Sequence, residues 1–475
     1  MSEKGTAIQT MDILFSASEI LKATGGKIYG TLSPSLSVNA ISTDTRTPMP
    51  GALFLALSGE NFDAHNYLQQ AVDQGAAALC IEEDKVHLLP PDTRGAILVP
   101  STVKAYQDLA RFHRLRFPDL KVIALTGSCG KTSSKEILRA VFETAYGKDS
   151  VLYTRGNTNN QIGVPQNLLR LTSEHRIAII EMGTNHPGEI EPLAHCAMPD
   201  ASLIVSIGNC HLEFLGSLEG VAREKSHIFS PLSADASAVI PMESPGHTVL
   251  SDAVKRIKHV QTFGSLQSNA DIQAEYLAGD LYGSSFRLCK KSSGESVRIR
   301  WSVQGRHQIL NAAGAAAMAD LFGIPFSMIA LGIAKTVLPG MRMRIQKHHQ
   351  ATWINDAYNA NPDSMKASLT WLSEFADPEH LVLILGDMAE IGEGSAESHL
   401  HILQFARKCF ANARIIAVGQ NMCQAAAAWD TDHRISTFRT PGEALPFIRQ
   451  QHQIEDMLFL KASRSTHLEI VEQEF

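Results

Sequence analysis

The sequence predicts an α/β protein with three domains, and three observations support that fold class. Its 475 residues exceed what one hydrophobic core accommodates and correspond to about three domains of ~150 residues. From about residue 120 onward, short apolar runs alternate with helical segments, which is typical of a parallel sheet with helices on both faces. One of these runs, Val122–Leu125, leads through a glycine turn into a helix, so we place a doubly wound sheet at the centre of the chain.

The domain boundaries are placed where the pattern of strands and helices changes. The first block mixes short elements, with a strand predicted at Gly51–Leu57 and a helix at Asn66–Gly75. The second opens near Ser101 with a helix rich in basic residues, and its alternating polar stretch Thr262–Val303 is predicted to form an antiparallel extension at a sheet edge. The third carries further strand–helix units from near Pro339. We therefore predict three domains, at residues 1–100, 101–338 and 339–475.

Composition and charge exclude several classes of protein. A net charge of −7 makes a nucleic acid an unsuitable main partner, because like charges repel. No apolar run reaches the ~18 residues that a membrane-spanning helix needs, and the first residues lack the basic-then-apolar pattern of a signal peptide. The seven cysteines are scattered and form no Cys-x-x-Cys pair, as expected of reduced thiols. We expect a cytoplasmic protein that acts on small molecules, without membrane insertion.

The glycine turn at the centre of the chain has the chemistry of a phosphate-binding loop. Gly127 and Gly130 allow backbone N–H groups to approach phosphate oxygens, and the helix that follows directs its positive dipole end at the same anion. Lys131 is placed to neutralise the β- and γ-phosphates, and the Thr132 hydroxyl to ligate Mg²⁺. The loop is a variant, since the common pattern needs glycine where Leu125 stands. We predict that it binds a nucleoside triphosphate.

Polar residues follow other predicted strands of the central sheet. Glu181 follows the strand predicted at Ile177–Ile180, and His211 lies just past the next strand. Because ligands of doubly wound sheets bind at the carboxyl ends of the strands, these side chains are candidates for Mg²⁺ or ATP. Each alone is also compatible with a hydrogen-bonded structural residue. The amide-rich runs Asn157–Gly163 and Asp356–Pro362 are likewise either solvated turns or binding loops.

The phosphate loop and several other motifs resemble the Mur ligases. The loop Thr126–Thr132 fits that family's pattern TG-x-x-GK-[ST], so the variant glycine spacing is the family's own. The other motifs keep the family's order in all three blocks, from about residue 40 to the end. They are Ser42–Arg46 with Pro50–Phe54, Gly156–Pro165, Glu181–Ile190, Gly305–His307 with Asn311, Asn355–Met365 and Leu385–Glu390. Several long motifs in one order make coincidence a poor explanation.

The resemblance implies both a fold and a reaction. It implies a small N-terminal α/β domain for the UDP end of the substrate, a central P-loop domain with a doubly wound sheet for ATP, and a C-terminal Rossmann-like domain that closes over the site. The motifs look like those of the Mur ligases that join D-alanyl-D-alanine to UDP-N-acetylmuramoyl-tripeptide in peptidoglycan biosynthesis, with ATP cleaved to ADP and phosphate. In that reaction the tripeptide carboxylate becomes an acyl phosphate, which an amine can attack. We expect the enzyme to be a monomer.

The resemblance also implies a role for each matching residue. The nucleotide is expected at Gly127, Ser128, Cys129, Gly130, Lys131, Thr132, Asn311, Arg342 and Asp356. Two Mg²⁺ ions are expected at Thr132, Glu181, His211 and Lys225, and the catalytic residues are Lys131, His211 and Lys225. The UDP end is expected at Thr45 and Arg46, and the peptide or dipeptide at Asn159, Asn160, Tyr358 and Asn361. Two positions depart from the family pattern, which has asparagine in place of Cys129 and glycine in place of Ala462.

Lys225 matches a lysine that Mur ligases carbamylate. A carbamate replaces a cationic amine by an oxygen ligand, which explains a lysine beside two cations that would otherwise repel it. The alternative is an ordinary exposed lysine on a helix, with no part in the reaction.

Two other functions stay open at the level of sequence. One is a related amide ligase with the same ATP core, either an enzyme that adds the third residue of the peptide or a folylpolyglutamate synthetase. The cluster Tyr358–Pro362 argues against both, since those enzymes have a His-Thr-Pro type of sequence there. The other is a nucleotide sensor without catalysis, against which the retained metal and phosphate residues argue. The sequence leaves open whether the tripeptide ends in meso-diaminopimelate or L-lysine.

Overall fold

Three large sheets follow one another along the described part of the chain, and two sheets of only two strands lie in the first domain. The computed structural model describes residues 15–475 except 60, 61, 92 and 94, so residues 1–14 of the predicted first domain lie outside the described part. The large sheets have five strands between Lys27 and Val99, nine between Lys121 and Trp301, and six between Arg344 and Lys461. Among the described residues, no helix combines the length and apolar character that crossing a bilayer requires.

The first domain contains the five-stranded sheet. Its elements are β1 (Phe15–Ser16), α1 (Ala17–Thr24), β2 (Lys27–Gly30), β3 (Ser37–Val38), β4 (Ile41–Ser42), β5 (Leu53–Leu55), β6 (Ser58–Gly59), β7 (Phe62–Asp63), α2 (Leu68–Asp73), β8 (Ala78–Glu82) and β9 (Gly95–Val99). The strand order is β2-β9-β8-β5-β4, with β2 antiparallel to β9 and the other pairs parallel. The predicted strand and helix of this domain are present but shorter than predicted.

The central domain contains the nine-stranded sheet. Its elements are α3 (Thr102–Arg114), β10 (Lys121–Thr126), α4 (Lys131–Tyr146), β11 (Val151–Tyr153), α5 (Gly163–Leu168), β12 (Ile177–Glu181), α6 (Ile190–Ala197), β13 (Ala201–Ile204), α7 (Leu212–Leu215), α8 (Leu218–Ser226), β14 (Ser237–Pro241), α9 (His247–Ala253), β15 (His259–Ser265), β16 (Ile272–Asp280), β17 (Gly283–Lys290), β18 (Glu295–Trp301), α10 (Arg306–Leu321) and α11 (Phe326–Ala334). The strand order is β11-β12-β10-β13-β14-β15-β16-β17-β18. The strands from β11 to β16 pair in parallel, and β16, β17 and β18 pair antiparallel at one edge.

The third domain contains the six-stranded sheet. Its elements are β19 (Arg344–His348), β20 (Ala351–Asn355), α12 (Pro362–Leu372), β21 (Leu381–Gly386), α13 (Ser395–Cys409), β22 (Arg414–Val418), α14 (Gln420–Trp429), β23 (Ile435–Phe438), α15 (Pro441–Gln451), β24 (Met457–Lys461) and α16 (Ile470–Gln473). The strand order is β19-β20-β24-β21-β22-β23, with β19 antiparallel and the others parallel. Apolar side chains from the two faces of this sheet form two separate cores.

The first and central domains share a hydrophobic core. Helix α1 packs against α3, and the buried ring of Phe15 lies 6.2 Å from that of Phe112, centre to centre. The Arg116 guanidinium lies 4.1 Å from the centre of the Phe15 ring. Helices α4, α10 and α11 cover the opposite face of the central sheet. The predicted boundary at residue 100 therefore separates the five-stranded sheet from the nine-stranded sheet, while one hydrophobic core continues across it.

The α/β fold class with parallel sheets is confirmed, and three details differ from the prediction. Glu181 is the last residue of β12 instead of following it, and His211 lies well beyond Ile204, where β13 ends. The prediction of antiparallel pairing was wrong for Thr262–Ser265, which belong to the parallel strand β15. Helix α9 connects β14 to β15, and a helical crossover returns the chain in the same direction.

Candidate active site

The glycine turn joins β10 to α4, as the sequence predicts. Gly130 has a φ of 80°, in the left-handed region, and helix α4 begins at the next residue. A Cβ atom at Gly130 would lie 2.4 Å from Oδ1 of Asn311, so any other residue there would have to displace the Asn311 side chain. The first N–H groups of α4 have no acceptor within the helix, and they coincide with the positive end of its dipole. This helix terminus is therefore suited to an anion such as phosphate.

Ser206 anchors the turn to the segment after β13. Its backbone oxygen accepts a hydrogen bond from Ser128 N at 2.9 Å, and its hydroxyl oxygen accepts one from Cys129 N at 2.9 Å. The Ser128 hydroxyl bonds to Gly208 at both its N–H and its carbonyl, at 2.9 and 3.1 Å. Two N–H groups of the predicted phosphate loop are thus used to hold the loop in place. The N–H groups that begin at Gly130 are the ones left to face an anion.

A network of polar side chains lies beside the turn. The Thr132 hydroxyl donates to Oε1 of Glu181 at 3.2 Å, and the Asn159 amide donates to the same oxygen at 2.9 Å. Oε2 of Glu181 is buried and has no hydrogen-bond partner among the described residues. Lys131 turns back on its own loop, with Nζ donating to the Gly127 carbonyl at 2.7 Å. An anion above the loop would compete directly for that ammonium group.

Lys225 is fully buried on α8, and its Nζ has no hydrogen-bond partner among the described residues. Burial, together with the nearby charge of Lys131, lowers the pKa of this amine to about 8. The thiols of Cys129 and Cys210 also lie close enough to interact with it electrostatically. The alternative of an exposed helix lysine is therefore wrong. A buried polar atom without a partner costs free energy, which points to a partner that the folded chain alone does not supply.

Three residues of the third domain contact the phosphate loop region. Nη2 of Arg342 donates to the Thr132 hydroxyl at 3.1 Å, and its guanidinium carbon lies 3.6 Å from the centre of the Tyr358 ring. The Asn361 amide donates to Sγ of Cys129 at 3.0 Å. Asp363 accepts a hydrogen bond from the backbone N of Asn209 at 2.9 Å. The third domain is therefore closed on the central domain, with Arg342 inside the site.

Asp356 of the third domain is buried, and its carboxylate accepts several hydrogen bonds. Its Oδ1 accepts from Met343 N at 3.2 Å, and its Oδ2 accepts from the Ser368 hydroxyl at 2.8 Å and from Nζ of Lys461 at 2.5 Å. Nearby, burial lowers the pKa of His307 to about 4, so this imidazole is neutral at physiological pH. Both carboxylate oxygens of Asp356 already have donors, so the structure gives this residue a positioning role in addition to the predicted contact with ribose.

Comparison with known proteins identifies the family. The family model described as Mur ligase family, catalytic domain, matches residues 37–114, the Mur ligase middle domain matches 125–319, and the Mur ligase, glutamate ligase domain matches 341–464. The UDP-N-acetylmuramoyl-tripeptide–D-alanyl-D-alanine ligase of Escherichia coli is 35% identical over 471 residues, which cover 97% of this chain and 98% of that protein. The chain belongs to the Mur ligase family.

Other members of the family resemble this Mur ligase over nearly its whole length. The ligase of the same name from Bacillus subtilis is 31% identical and covers 91% of this chain and 92% of its own. A crystal structure of MurF from Acinetobacter baumannii has a TM-score of 0.88 at 30% identity, over 98% of this chain and 99% of that one. The MurF ligase from Thermotoga maritima in complex with ADP shares the fold, with a TM-score of 0.79, 24% identity, and coverage of 92% and 96%.

Mur ligases use ATP with Mg²⁺, and the residues of this site fit that ion. Oε2 of Glu181, which has no hydrogen-bond partner in the described part of the chain, and the Thr132 hydroxyl offer two oxygen ligands beside the predicted phosphate position. Within the described part of the chain, no group of three or more His, Cys, Asp or Glu side chains could hold a metal alone. This suits Mg²⁺, which keeps several waters and completes its shell with substrate phosphates. Such an ion would neutralise phosphate charge.

The structure brings together most of the residues predicted for ATP and metal. Those that meet around the loop are Lys131, Thr132, Glu181, Lys225, Asn311 and Arg342. His211 contacts Glu390 of the third domain, with Nδ1 and Oε2 2.5 Å apart. The predicted UDP residues lie in the first domain, where Thr45 donates to Gln70 at 3.1 Å and Arg46 pairs with Asp44.

The residues predicted for the peptide have local roles that the sequence did not indicate. Asn159 orients Glu181, as described above. Oδ1 of Asn160 accepts from the backbone N–H groups of Ile162 and Gly163, at 3.2 and 2.9 Å, and so shapes the start of α5. Tyr358 stacks under Arg342. Their contact with substrate stays a prediction.

Sequence reasoning missed four residues that position the site. They are Ser206, Lys461, Glu390 and Lys135, of which only Glu390 lies in a motif that carries the family resemblance. Lys135 acts through Thr154, because its Nζ donates to the Thr154 carbonyl at 2.8 Å and the Thr154 hydroxyl accepts from the backbone N of Glu181 at 2.9 Å. A charged residue at the end of an otherwise apolar strand, as Lys461 is on β24, is a signal that could have been used. The sequence carries no comparable signal for Ser206, because serine is common in loops.

Proposed function

We propose that this Mur ligase joins D-alanyl-D-alanine to the free carboxylate of UDP-N-acetylmuramoyl-tripeptide, with cleavage of ATP to ADP and phosphate. The observation that carries the proposal is the closed site, in which Arg342 of the third domain reaches Thr132 beside the phosphate loop. Such an arrangement suits phosphoryl transfer, which depends on positioning and charge neutralisation. The two substrates are those that the name of the Escherichia coli relative gives.

The first chemical step is transfer of the γ-phosphoryl group to the tripeptide carboxylate. The carboxylate oxygen attacks phosphorus, the bond to the β-phosphate oxygen breaks, and ADP leaves. Lys131 exchanges its bond with the Gly127 carbonyl for the phosphate oxygens, and Arg342 approaches the same charge from the third domain. Mg²⁺ at Thr132 and Glu181 supplies further neutralisation of the phosphates when it is bound. The product is an acyl phosphate.

The second step joins the two peptides. The amine of D-alanyl-D-alanine attacks the acyl carbon, and a tetrahedral intermediate forms. The nitrogen releases a proton to solvent, and phosphate leaves with the pair of electrons of the C–O bond. Water competes with the amine for the acyl phosphate, so the site must exclude it. The contacts of Asn361 with Cys129 and of Asp363 with Asn209 close the third domain over the loop and serve that purpose.

We also propose that Lys225 carries a carbamate. Its neutral amine attacks CO₂, an N–C bond forms, and one proton leaves to solvent. The carbamate anion would face the Lys131 ammonium group. It would also give an oxygen-ligand function to the buried nitrogen of Lys225, which has no hydrogen-bond partner within the described ranges. Enzyme kept in CO₂-free buffer should lose activity and regain it when bicarbonate is added. Activity that does not respond to removal of CO₂ at saturating Mg²⁺, with no carbamate signal from ¹³CO₂ in NMR, would refute this proposal.

The proposed function is tested by phosphate release from ATP and Mg²⁺. The reaction is measured with each substrate alone, with both, and with tripeptides ending in meso-diaminopimelate or in L-lysine. Release that requires both substrates supports the ligase and identifies the third residue. Release with a single amino acid as acceptor points to a related amide ligase, and binding of ATP without turnover under any condition points to a nucleotide sensor.

We propose that the enzyme acts as a monomer in the cytoplasm. The residues that meet around the phosphate loop come from one chain, so the site needs no second copy. All seven cysteines lie in the described part of the chain and have free thiols, in keeping with a reducing compartment. Light scattering after size exclusion should give a mass near 51.7 kDa. A mass twice as large would refute the monomer.

A further inference from the structure

Two residues in strained backbone conformations meet across the interface between the central and third domains. His211 has a φ of 52° and Glu390 a φ of 60°, in the left-handed region that non-glycine residues rarely occupy. Their side chains form one contact, with Nδ1 of His211 2.5 Å from Oε2 of Glu390. Such conformations persist only where surrounding structure enforces them, and they occur most often at functional sites.

The loop that carries Glu390 is fixed from both sides. Within the third domain, the backbone N of Ala389 donates to the Ser463 hydroxyl at 2.8 Å. On the side of the central domain, Gly392 packs closely on Glu213. A Cβ atom added at Gly392 would lie 3.0 Å from the Cα of Glu213. Glu390 is therefore held in a defined position relative to His211 when the two domains are closed.

The chemistry of the contact determines which ring nitrogen of His211 carries the proton. An ionised carboxylate such as that of Glu390 can only accept a hydrogen bond, and its Oε2 lies 2.5 Å from Nδ1 of His211. Nδ1 must then be the protonated nitrogen. In a neutral ring, Nε2 keeps its lone pair and can bind a metal ion, whereas an unconstrained imidazole exchanges between both forms.

We propose that Glu390 is a positioning residue that holds His211 with its proton on Nδ1 and its Nε2 lone pair directed at the second Mg²⁺ site. This inference rests on the proposed function, and it takes His211 as a metal ligand because the family resemblance implies that role. Because Glu390 comes from the third domain, the metal site is completed only when that domain closes. Closure and metal binding therefore support each other, in the way that outer carboxylates orient metal-bound histidines elsewhere.

The test compares Glu390→Leu, which removes the acceptor, with Glu390→Gln, which keeps a neutral one. Glu393→Leu, at an exposed glutamate of the same loop, is the matched control. The first measurement is ¹⁵N NMR of the histidine rings in substrate-free, Mg²⁺-free protein, with His211 assigned by its absence in His211→Gln. The second is the dependence of phosphate release on Mg²⁺ concentration.

We expect the wild-type ring of His211 to carry its proton on Nδ1. Glu390→Leu should convert it to a mixture dominated by the Nε2-protonated form and raise the KM for Mg²⁺ about 10- to 100-fold, with a smaller effect on kcat at saturating Mg²⁺. In Glu390→Gln, most His211 rings should keep the proton on Nδ1. Glu393→Leu should change neither the tautomer of His211 nor the KM for Mg²⁺.

An unchanged tautomer in Glu390→Leu would overturn the inference, as would a fall in kcat without any change in the KM for Mg²⁺. If Glu390→Leu does not fold, the wild-type spectrum decides alone, because a His211 ring protonated on Nε2 contradicts the proposal. A wild-type enzyme that shows the expected tautomer but ligates neither tripeptide would refute the proposed function and leave the role of Glu390 in the ring orientation supported.

Discussion

The nucleotide side of the site and the predicted UDP side are built in opposite ways. On the nucleotide side, Glu181 and Lys225 are buried, and each has a polar atom with no partner among the described residues. On the UDP side, the Arg46 side chain is 85% exposed and pairs with Asp44 two positions before it. Burying a polar atom without a partner is costly, whereas an exposed ion pair costs and contributes little. The buried polar atoms of Glu181 and Lys225 therefore indicate a binding function by themselves, whereas the exposed ion pair of Arg46 does not.

This contrast also separates the two kinds of recognition. The nucleotide side needs fixed groups at the reacting atoms, which a buried and hydrogen-bonded network provides. The predicted UDP side lies in the first domain and would have only to hold a remote part of the substrate. Variants on the two sides should therefore affect different kinetic constants, with the larger effects on the nucleotide side.

The largest effect is expected from Lys225→Ala. Loss of the proposed carbamate should lower the rate of phosphate release by about 10³-fold, the upper end of the effect of removing one electrostatic group from a reacting centre. The folded structure should survive, because Nζ of Lys225 has no hydrogen bond to lose among the described residues. Thermal unfolding and kinetics measure the two effects, and short-chain carboxylic acids should restore part of the activity.

Lys255→Ala is the control for that variant, since the Lys255 side chain is 75% exposed. It should match the wild type in rate and in unfolding temperature. A Lys225→Ala enzyme with wild-type activity would remove the carbamate proposal and would make the buried amine of Lys225 a structural feature.

The second largest effect is expected from Arg342→Ala, which removes the third domain's contact with Thr132. We expect kcat to fall about 10²-fold, because one donor to the developing charge is lost. The affinity for nucleotide, measured by calorimetry, should change far less, since the phosphate loop belongs to the central domain. Arg342→Lys should recover only part of the rate, because an ammonium group lacks the planar fork. An equal loss of nucleotide affinity and kcat would instead assign Arg342 to ground-state binding.

The central sheet and the phosphate loop could be predicted from the sequence because their signals are local. The apolar run β10, the glycine turn and the start of α4 follow one another within a short segment, and Gly130 adopts the positive φ that the turn requires. The parallel order of the strands followed from the alternation of strands and helices. The direction of β15 did not, because it depends on the short crossover helix α9, which lies before the polar stretch Thr262–Val303 and gives no clear signal in the sequence.

The contacts between domains could not be predicted in the same way. The bonds from Arg342 to Thr132 and from His211 to Glu390 join residues more than a hundred positions apart. No periodicity or spacing relates such pairs, and which atoms meet depends on how the third domain closes. Family resemblance indicated that Arg342 reaches ATP, but it gave no partner for Glu390.

A moderate effect is expected from Lys135→Met, which tests the hydrogen bonds that link Lys135 through Thr154 to Glu181. Lys135 is buried on α4, and its Nζ donates to the Thr154 carbonyl at 2.8 Å and pairs with Glu136 at 2.9 Å. The Thr154 hydroxyl in turn accepts from the backbone N of Glu181 at 2.9 Å. We expect loss of about 1–3 kcal/mol in the free energy of unfolding and a rise of about tenfold in the KM for Mg²⁺.

Lys148→Met, at an exposed lysine just after the same helix, controls for the change in charge and hydrophobicity. It should leave the unfolding curve and the KM for Mg²⁺ unchanged. A Lys135→Met protein that is less stable but has the wild-type KM for Mg²⁺ would limit Lys135 to a structural role.

The smallest effect is expected from Arg46→Ala on the UDP side. Arg46 is exposed and its ion pair with Asp44 is local, so the unfolding temperature should not change. If Arg46 binds the diphosphate, the KM for UDP-N-acetylmuramoyl-tripeptide should rise about three- to tenfold while kcat is preserved, because a remote charge contributes to binding equally before and during the reaction. Lys27→Ala, which removes another exposed ion pair of the first domain, should change neither constant. A fall in kcat in Arg46→Ala would show that the first domain also positions the reacting carboxylate, and the contrast between the two sides of the site would no longer hold.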